Sequence, residues 1–176
     1  MYIVRLKTLT YSIVFSSALR YNHKAVRIPL IRAHDRKRVI PVAEEPIPRV
    51  LIVDDDPGFL KLAEVLIGRA GMEPIFATTA AEAAQVLRNM SRDLPDLVIL
   101  DMMLPDVSGI EFLRQMREKS IFDDLPVLIL SALGDPNQIR QALATGADRY
   151  LTKTFVANNL IPTVQDLLAT GRKRLD

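Results

Sequence analysis

The chain has 176 residues, of which 49% are hydrophobic, so it is long enough for one domain with a sizeable core and short for two. It contains no cysteine, which excludes disulfide bonds, thiolate catalysis and cysteine-ligated zinc. Residues 1–49 hold ten Lys and Arg against three Asp and Glu, whereas residues 50–176 hold thirteen against eighteen. The basic character belongs to the N-terminal part, and only that part could bind a phosphate backbone.

The N-terminal segment predicts a basic, Pro-containing extension over residues 1–48 that is disordered. Four prolines and the basic cluster at residues 36–38 mark a solvated linker, and we place the domain boundary near Pro48. Both histidines, His23 and His34, lie in this segment, which excludes a histidine nucleophile or a histidine-based metal site from the main domain. No apolar stretch approaches the roughly 20 residues of a membrane span. Recruitment of the basic segment to nucleic acid or acidic lipid is left open.

Beyond Pro48, short apolar runs alternate with amphipathic stretches, a pattern typical of βα units around a parallel sheet. The predicted strands cover residues 50–53, 74–77, 97–100, 127–130 and 149–152. The predicted helix starts are Asp56-Pro57, a Thr79/Glu82 capping box, a Ser108/Glu111 capping box and Asp135-Pro136. Five strands and five helices result, in a domain over residues 49–171 that is followed by a C-terminal tail, residues 172–176.

The first helix carries an expectation of its own. Leu62, Val65 and Leu66 predict its apolar stripe, and Gly71 predicts a left-handed stop after Arg69.

Polar side chains follow four of the predicted strands. Asp54 and Asp55 follow the first, Asp101 the third, Ser131 the fourth and Lys153 the fifth. Because ligands of a parallel α/β sheet bind beyond the carboxyl ends of its strands, we expect these side chains to converge in one pocket. Carboxylates, a hydroxyl and an amine in one pocket suit a divalent cation and a phosphoryl group.

Four segments that carry these residues resemble the signature segments of response-regulator receiver domains from two-component signalling: residues 51–56, 97–109, 127–132 and 147–155. The resemblance covers roughly residues 49–170, and four motifs in order are far more specific than any one of them. It implies a single-domain, CheY-like receiver with an α/β fold: a doubly wound five-stranded parallel sheet in strand order 2-1-3-4-5, the flavodoxin-like topology.

By position, the resemblance implies that Asp101 is the phosphoacceptor and receives its phosphoryl group from a sensor histidine kinase or a phosphotransfer protein. It further implies that Asp54, Asp55 and Asp101 hold Mg²⁺ together with the backbone carbonyl of Met103. Hard oxygen ligands match this ion. The chain would then be no conventional enzyme but a signalling domain that catalyses its own phosphorylation and slow dephosphorylation.

The resemblance also implies a switch. Lys153 would pair with the acceptor carboxylate and later with a phosphoryl oxygen, and Ser131 would donate its hydroxyl to another phosphoryl oxygen. The loop after the fourth strand would then move, and Tyr150 would change rotamer. A cytoplasmic protein is implied that signals through an unidentified downstream protein, with no direct DNA binding by the receiver domain and no membrane span.

The sequence departs from the family pattern in two places. Thr154 stands where the family usually has proline after the lysine, so we expect a trans peptide there. Val156 stands where a capping residue is usual, and Pro162 would fall inside a helix that began there. We therefore predict a helix start after Asn158 or Asn159, which would place Pro162 in the first turn.

Met103 and Leu133 occupy the two positions that modulate attack of water on the acyl phosphate in this family. Both are apolar and cannot orient a water molecule, so the expected dephosphorylation is slow.

Two rival functions remain open at this point. One is a phosphorylation-independent interaction module that retains the pocket, which the departures at Thr154 and Pro162 allow. The other, from the enzyme class, is an aspartyl-phosphate hydrolase of the haloacid-dehalogenase type. That family requires an aspartate two residues beyond the nucleophile, and this position is Met103.

Overall fold

The computed structural model describes residues 20–21, 24–25, 46–90, 93–132 and 134–172. The chain divides into two compact units, Met1–Arg38 and Val39–Asp176. In the first unit, the described residues form two short antiparallel strands, Arg20–Tyr21 and Lys24–Ala25. Most of the predicted N-terminal extension and most of the predicted C-terminal tail lie outside the described residues. The disorder expected of the extension therefore stays a prediction.

The second unit is built on a parallel sheet of five strands: β1 Arg49–Val53, β2 Glu73–Ala77, β3 Leu97–Asp101, β4 Val127–Ser131 and β5 Arg149–Thr152. The strand order is 2-1-3-4-5, and every neighbouring pair is parallel, as predicted. Strands β3 and β4 are buried along their whole length, because helices cover both faces of the sheet.

Five helices alternate with the strands: α1 Pro57–Arg69, α2 Ala80–Asn89, α3 Gly109–Arg117, α4 Pro136–Thr145 and α5 Val156–Thr170. Helices α2, α3 and α4 pack on the face of the sheet that carries Leu51, Leu100 and Ile129. Helices α1 and α5 pack on the opposite face, against Ile52 and Ile99. The doubly wound arrangement is therefore confirmed. Among the residues that the structure describes, no helix combines the length and the apolar character needed to cross a membrane.

The predicted helix starts are confirmed by side-chain caps. The oxygens of Asp56, Thr79, Ser108 and Asp135 each accept a backbone N–H from the first turn of the following helix. The glutamates of the two predicted capping boxes bond elsewhere. Glu82 accepts from the N–H of Thr78, and Glu111 accepts from Arg114 and Gln115.

The predicted apolar stripe of α1 is wrong for Leu62 and Val65 and holds for Leu66, which packs against the core. Leu62 is 42% exposed and Val65 41% exposed, while Leu66 is half-buried. The buried stripe repeats every four residues and includes one small side chain, which lets the helix lie close to the sheet: Phe59, Ala63 and Ile67. The prediction placed the stripe too far around the helix and so missed Phe59 and Ile67 as well as the alanine. The stop is confirmed, because Gly71 has a φ of +77° and its N–H donates to the carbonyl of Gly68.

The predicted late start of α5 is also wrong. The helix begins at Val156, directly after a 3₁₀ turn at Lys153–Phe155, and Pro162 lies in its interior. This start places Val156, Leu160 and Val164 on one continuous buried face. Burial of that face outweighs the single backbone hydrogen bond that Pro162 cannot donate.

Candidate functional site

The three predicted acidic ligands lie together at the carboxyl edge of the sheet. Asp54 follows β1 directly, and Asp101 ends the neighbouring strand β3. One carboxylate oxygen from each of Asp54, Asp55 and Asp101 lies within 4.8 Å of the other two. Asp54 and Asp101 are buried, whereas Asp55 is exposed. The cluster therefore has two acids in the protein interior and one open to solvent.

Lys153 reaches the same cluster from the end of β5. Its Nζ lies 2.7 Å from Asp54 Oδ2 and 3.0 Å from Asp101 Oδ2, and it also lies 5.3 Å from the centre of the Phe59 ring. The described part of the chain contains no cis peptide bond, so the peptide between Lys153 and Thr154 is trans, as predicted. The lysine thus reaches the acids without the proline that usually follows it in receivers.

Burial and charge act against each other at Asp54. Burial raises the pKa of this carboxyl, and the neighbouring Asp101 raises it further. Lys153 and the N–H of Asp56, which donates to Asp54 Oδ1 at 3.0 Å, lower it by less. Burial alone would lower the pKa of Lys153, but the neighbouring carboxylates of Asp54 and Asp101 raise that pKa overall. The ammonium is therefore charged at neutral pH.

The donor set fits a hard divalent cation. Asp54 Oδ2 is a buried oxygen that accepts no well-aligned hydrogen bond from a described residue, although the charge of Lys153 lies beside it. A buried oxygen in this state gains from a second cation. Carboxylate oxygens with open positions for water are the donors that Mg²⁺ prefers. The residues that could hold the ion are therefore Asp54, Asp55 and Asp101.

The remaining predicted site residues lie around this cluster. Met103 is two residues beyond Asp101; its side chain is 73% exposed, and its backbone forms an isolated bridge with Ser108. Ser131 ends β4 and is buried, and Tyr150 on β5 is half-buried against the core on the α2, α3 and α4 side of the sheet. Leu133 lies outside the described residues. The roles assigned to these residues stay predictions.

Three residues at this edge of the sheet were missed by the sequence reasoning. Gly109 packs on the backbone of Asp101, Asp106 binds the start of α2, and the Thr152 hydroxyl is buried without a hydrogen bond to any described residue. Asp106 lies 26 residues from Ala80, its partner, so no local pattern indicates the contact. A glycine at the first position of α3, where it lowers helix propensity, is the one available sign for Gly109.

Comparison with known proteins agrees with this geometry. The sequence model of the response regulator receiver domain matches residues 50–165. The phosphate regulon transcriptional regulatory protein PhoB of Escherichia coli K12 is 30% identical over 120 residues, which are 68% of this chain and 51% of PhoB. Response regulator Rre1 of Synechocystis is 37% identical over 132 residues, 75% of this chain and 56% of Rre1.

The chain thus spans about half the length of these curated relatives. A solved structure, the chemotaxis response regulator CheY4 of Vibrio cholerae, is 29% identical, with a TM-score of 0.62 over 69% of this chain and 99% of CheY4. The matched family segments, the 2-1-3-4-5 sheet and the acidic cluster at its carboxyl edge all point to the same family. The chain belongs to the response regulator receiver domain family of two-component systems.

Proposed function

We propose that the chain accepts a phosphoryl group on Asp101 from a sensor histidine kinase or a phosphotransfer protein, with Mg²⁺, and signals through phosphorylation-dependent contacts with another protein. One observation carries the proposal. The Asp101 carboxylate lies within 4.8 Å of two further carboxylates and 3.0 Å from an ammonium group. This combination of nucleophile, cation ligands and fixed positive charge is what phosphoryl transfer requires.

In the proposed reaction, an Asp101 carboxylate oxygen attacks the phosphorus atom of a phosphohistidine. An O–P bond forms as the P–N bond breaks, and the imidazole leaves. Phosphoryl transfer has a loose, highly charged transition state, so the protein contributes mainly positioning and charge neutralisation. Mg²⁺ bound by Asp54, Asp55 and Asp101 would supply most of that neutralisation, and the Met103 carbonyl is the proposed backbone ligand.

Lys153 supplies the second positive charge. Its Nζ now contacts Asp54 and Asp101, and after transfer it would follow the new charge to a phosphoryl oxygen. Ser131 would donate its hydroxyl to another phosphoryl oxygen from the end of β4. That bond would draw in the loop that follows β4, and Tyr150 would change rotamer in response. The altered surface is the proposed contact for the downstream protein.

Slow loss of the phosphoryl group is part of the proposal. The Met103 side chain is apolar and exposed, so it can orient no water by hydrogen bonding. We expect the phosphorylated chain to persist for minutes or longer. The decay is measured by intact mass after the donor is removed. Decay within seconds would contradict this part of the proposal alone.

Phosphoramidate tests the proposal because its P–N bond resembles that of phosphohistidine. The full chain is incubated with phosphoramidate and Mg²⁺, and intact mass is recorded with and without EDTA. We expect a gain of one phosphoryl group that needs Mg²⁺ and is abolished by Asp101→Asn. Asp93→Asn is the matched control, because Asp93 is an exposed acid near the opposite edge of the sheet, paired with Arg49.

The same experiment separates the rival function. A wild-type chain that gains no mass, together with unchanged mass in every variant, would favour a phosphorylation-independent interaction module. Thr154 in place of proline and the interior Pro162 are the features that would accompany such a change of role.

A further inference from the structure

The loop between β3 and α3 is the segment that carries the proposed acceptor. It runs over residues 102–108 and is closed at its base, where the N–H of Gly109 donates to the carbonyl of Met102 at 2.9 Å. Within the loop, Met103 and Ser108 form an antiparallel bridge. The proposed backbone ligand for Mg²⁺, the Met103 carbonyl, therefore belongs to a compact loop whose position determines where that oxygen lies.

The tip of this loop is hydrogen-bonded to a different helix. Asp106 Oδ1 accepts the N–H of Ala80 at 3.1 Å, and Asp106 Oδ2 accepts the N–H of Ala81 at 2.9 Å. Both donors belong to the first turn of α2. The two carboxylate oxygens thus bind two consecutive amides across a sequence distance of about 26 residues.

This contact and the Thr79 cap together provide acceptors for the backbone N–H groups at the start of α2. An α-helix leaves its first N–H groups without partners inside the helix. Thr79 Oγ1 accepts the N–H of Glu82, and Asp106 accepts the two that precede it. Thr79 is the helix's own cap, whereas Asp106 comes from another part of the chain. Removing Asp106 leaves two amides without their acceptor and releases the loop from α2, but removing the Thr79 hydroxyl leaves the loop attached.

The same helix start is connected to the metal-binding acids. Ala77, at the end of β2, accepts the N–H of Asp54 at 3.0 Å through its carbonyl oxygen, and α2 begins three residues later. Asp106 therefore ties the loop that follows Asp101 to the segment that is bonded to Asp54. It joins two sides of the acidic cluster that are distant in sequence.

Electrostatics strengthen the tie. Asp106 is exposed, and the limited desolvation at its contact raises its pKa, but the hydrogen bonds from Ala81 and Ala80, together with those from the nearby loop backbone, lower that pKa overall. The group is thus ionised at neutral pH and faces the positive end of the α2 dipole.

We propose that Asp106 is a positioning residue for the acceptor site, which holds the β3–α3 loop and its Met103 carbonyl in place through two hydrogen bonds to α2. The inference rests on the proposed function, because it takes the Met103 carbonyl as a ligand of Mg²⁺. In this role Asp106 would touch neither the ion nor the phosphoryl group. Its effect is expected on the affinity of the site for Mg²⁺ rather than on the transfer step at saturating Mg²⁺.

The test compares Asp106→Ala with Thr79→Ala in the full chain. Both variants remove a cap from α2, but only the first releases the loop. Mg²⁺ affinity is measured by calorimetric titration without any phosphoryl donor, and urea unfolding is measured in parallel. We expect Asp106→Ala to weaken Mg²⁺ binding about 10-fold, the size of effect seen when groups that orient metal ligands are lost. Thr79→Ala is expected to lower the urea midpoint and leave Mg²⁺ affinity unchanged.

Asp106→Asn refines the comparison, since it retains one oxygen acceptor and removes the charge. Its Mg²⁺ affinity is expected between wild type and Asp106→Ala. With phosphoramidate as donor, excess Mg²⁺ should restore the phosphorylation rate of Asp106→Ala.

The outcomes separate the two proposals. Equal Mg²⁺ affinity in wild type and Asp106→Ala, or an equal loss in Asp106→Ala and Thr79→Ala, would overturn the positioning role while the proposed function stands. A wild-type chain that bound no Mg²⁺ would overturn both.

Discussion

Gly109 lies directly against the backbone of Asp101: a Cβ placed on Gly109 would be 2.0 Å from the Asp101 carbonyl oxygen and 2.9 Å from its carbonyl carbon. Gly109 is the first residue of α3, is buried, and donates its N–H to Met102. The helix thus begins in contact with the main chain of the proposed nucleophile. Because the obstacle is backbone, no side-chain rotation can relieve it.

Gly109→Ala is therefore expected to destabilise the chain by about 3 kcal/mol and to slow phosphorylation, because the Asp101 backbone must shift. Urea unfolding and the phosphoramidate reaction measure the two effects. Gly68→Ala is the matched control, since no atom lies within 4 Å of a Cβ at this helical position. It should keep wild-type phosphorylation and gain up to about 1 kcal/mol. Equal stability of the two variants would show that a side chain is tolerated at position 109.

Asp54→Asn is expected to stabilise the Mg²⁺-free chain at pH 7 by about 1 kcal/mol. Burial raises the pKa of Asp54 above its ordinary value, so the folded chain holds this proton more tightly than the unfolded chain. Asp54 therefore favours folding at a pH below its pKa in the unfolded chain. This contribution is lost as the pH rises through its pKa in the folded chain.

Urea midpoints measured in EDTA, from pH 7 down to the ordinary pKa of aspartate, test the expectation. The advantage of Asp54→Asn should shrink as the pH falls towards the ordinary pKa of aspartate, 3.8. Mg²⁺ at pH 7 should raise the midpoint of wild type more than that of the variant. An advantage that grew on acidification would contradict the assignment.

Thr152→Val is expected to stabilise the chain by about 1 kcal/mol. The Thr152 hydroxyl is buried and bonds to no described residue, so its replacement by a methyl group removes a desolvated polar atom and keeps the β-branched shape. Thermal unfolding measures the change. Thr170→Val is the control, because the Thr170 hydroxyl donates to the Asp166 carbonyl at 2.8 Å. If Thr152→Val were the less stable of the two, the hydroxyl would have to have a partner in solution.

Arg117→Lys is expected to cost about 3 kcal/mol of stability. The Arg117 side chain is 10% exposed, donates to the carbonyls of Phe122, Leu125 and Gly146, and pairs with the buried Asp148 at 3.3 Å. Burial, together with the charge of Arg172, lowers the pKa of Arg117 to about 10. A lysine cannot bind all of these acceptors at once and would leave some of them unsatisfied.

Urea unfolding again provides the measurement for Arg117. Arg114→Lys is the matched control on the same helix, because Arg114 pairs with Glu111 and Glu118 at the exposed surface, where ion pairs contribute less than about 1 kcal/mol. A similar loss of stability in both variants would mean that the buried contacts of Arg117 stabilise the chain no more than the exposed ion pairs of Arg114.

Much of the fold could be predicted because the strands are continuous apolar runs. Each predicted strand matches the observed one within one residue at either end, as at residues 74–77 and Glu73–Ala77. The four caps were also readable, since each needs only a few neighbouring residues. The convergence of Asp54, Asp55 and Asp101 followed from the parallel sheet, which brings the carboxyl ends of adjacent strands to one edge.

The failures arose where tertiary packing overrides local preference. The buried face of α1 includes Ala63, which becomes important only when the helix lies close to the sheet. The start of α5 depends on the burial of Val156, which outweighs the local effect of Pro162. The contact of Asp106 with α2 joins parts of the chain whose proximity no single segment reveals. The contact of Gly109 with the Asp101 backbone depends on the path of the loop between them.

The location of the phosphoryl group tests the central claim most directly. After reaction with phosphoramidate and Mg²⁺, the full chain is digested and the modified residue is identified by fragment mass. The account predicts a single modified residue, Asp101, with Asp54 and Asp55 unmodified. A phosphoryl group found on any other residue, in a chain whose Asp101 stays unmodified, would contradict it.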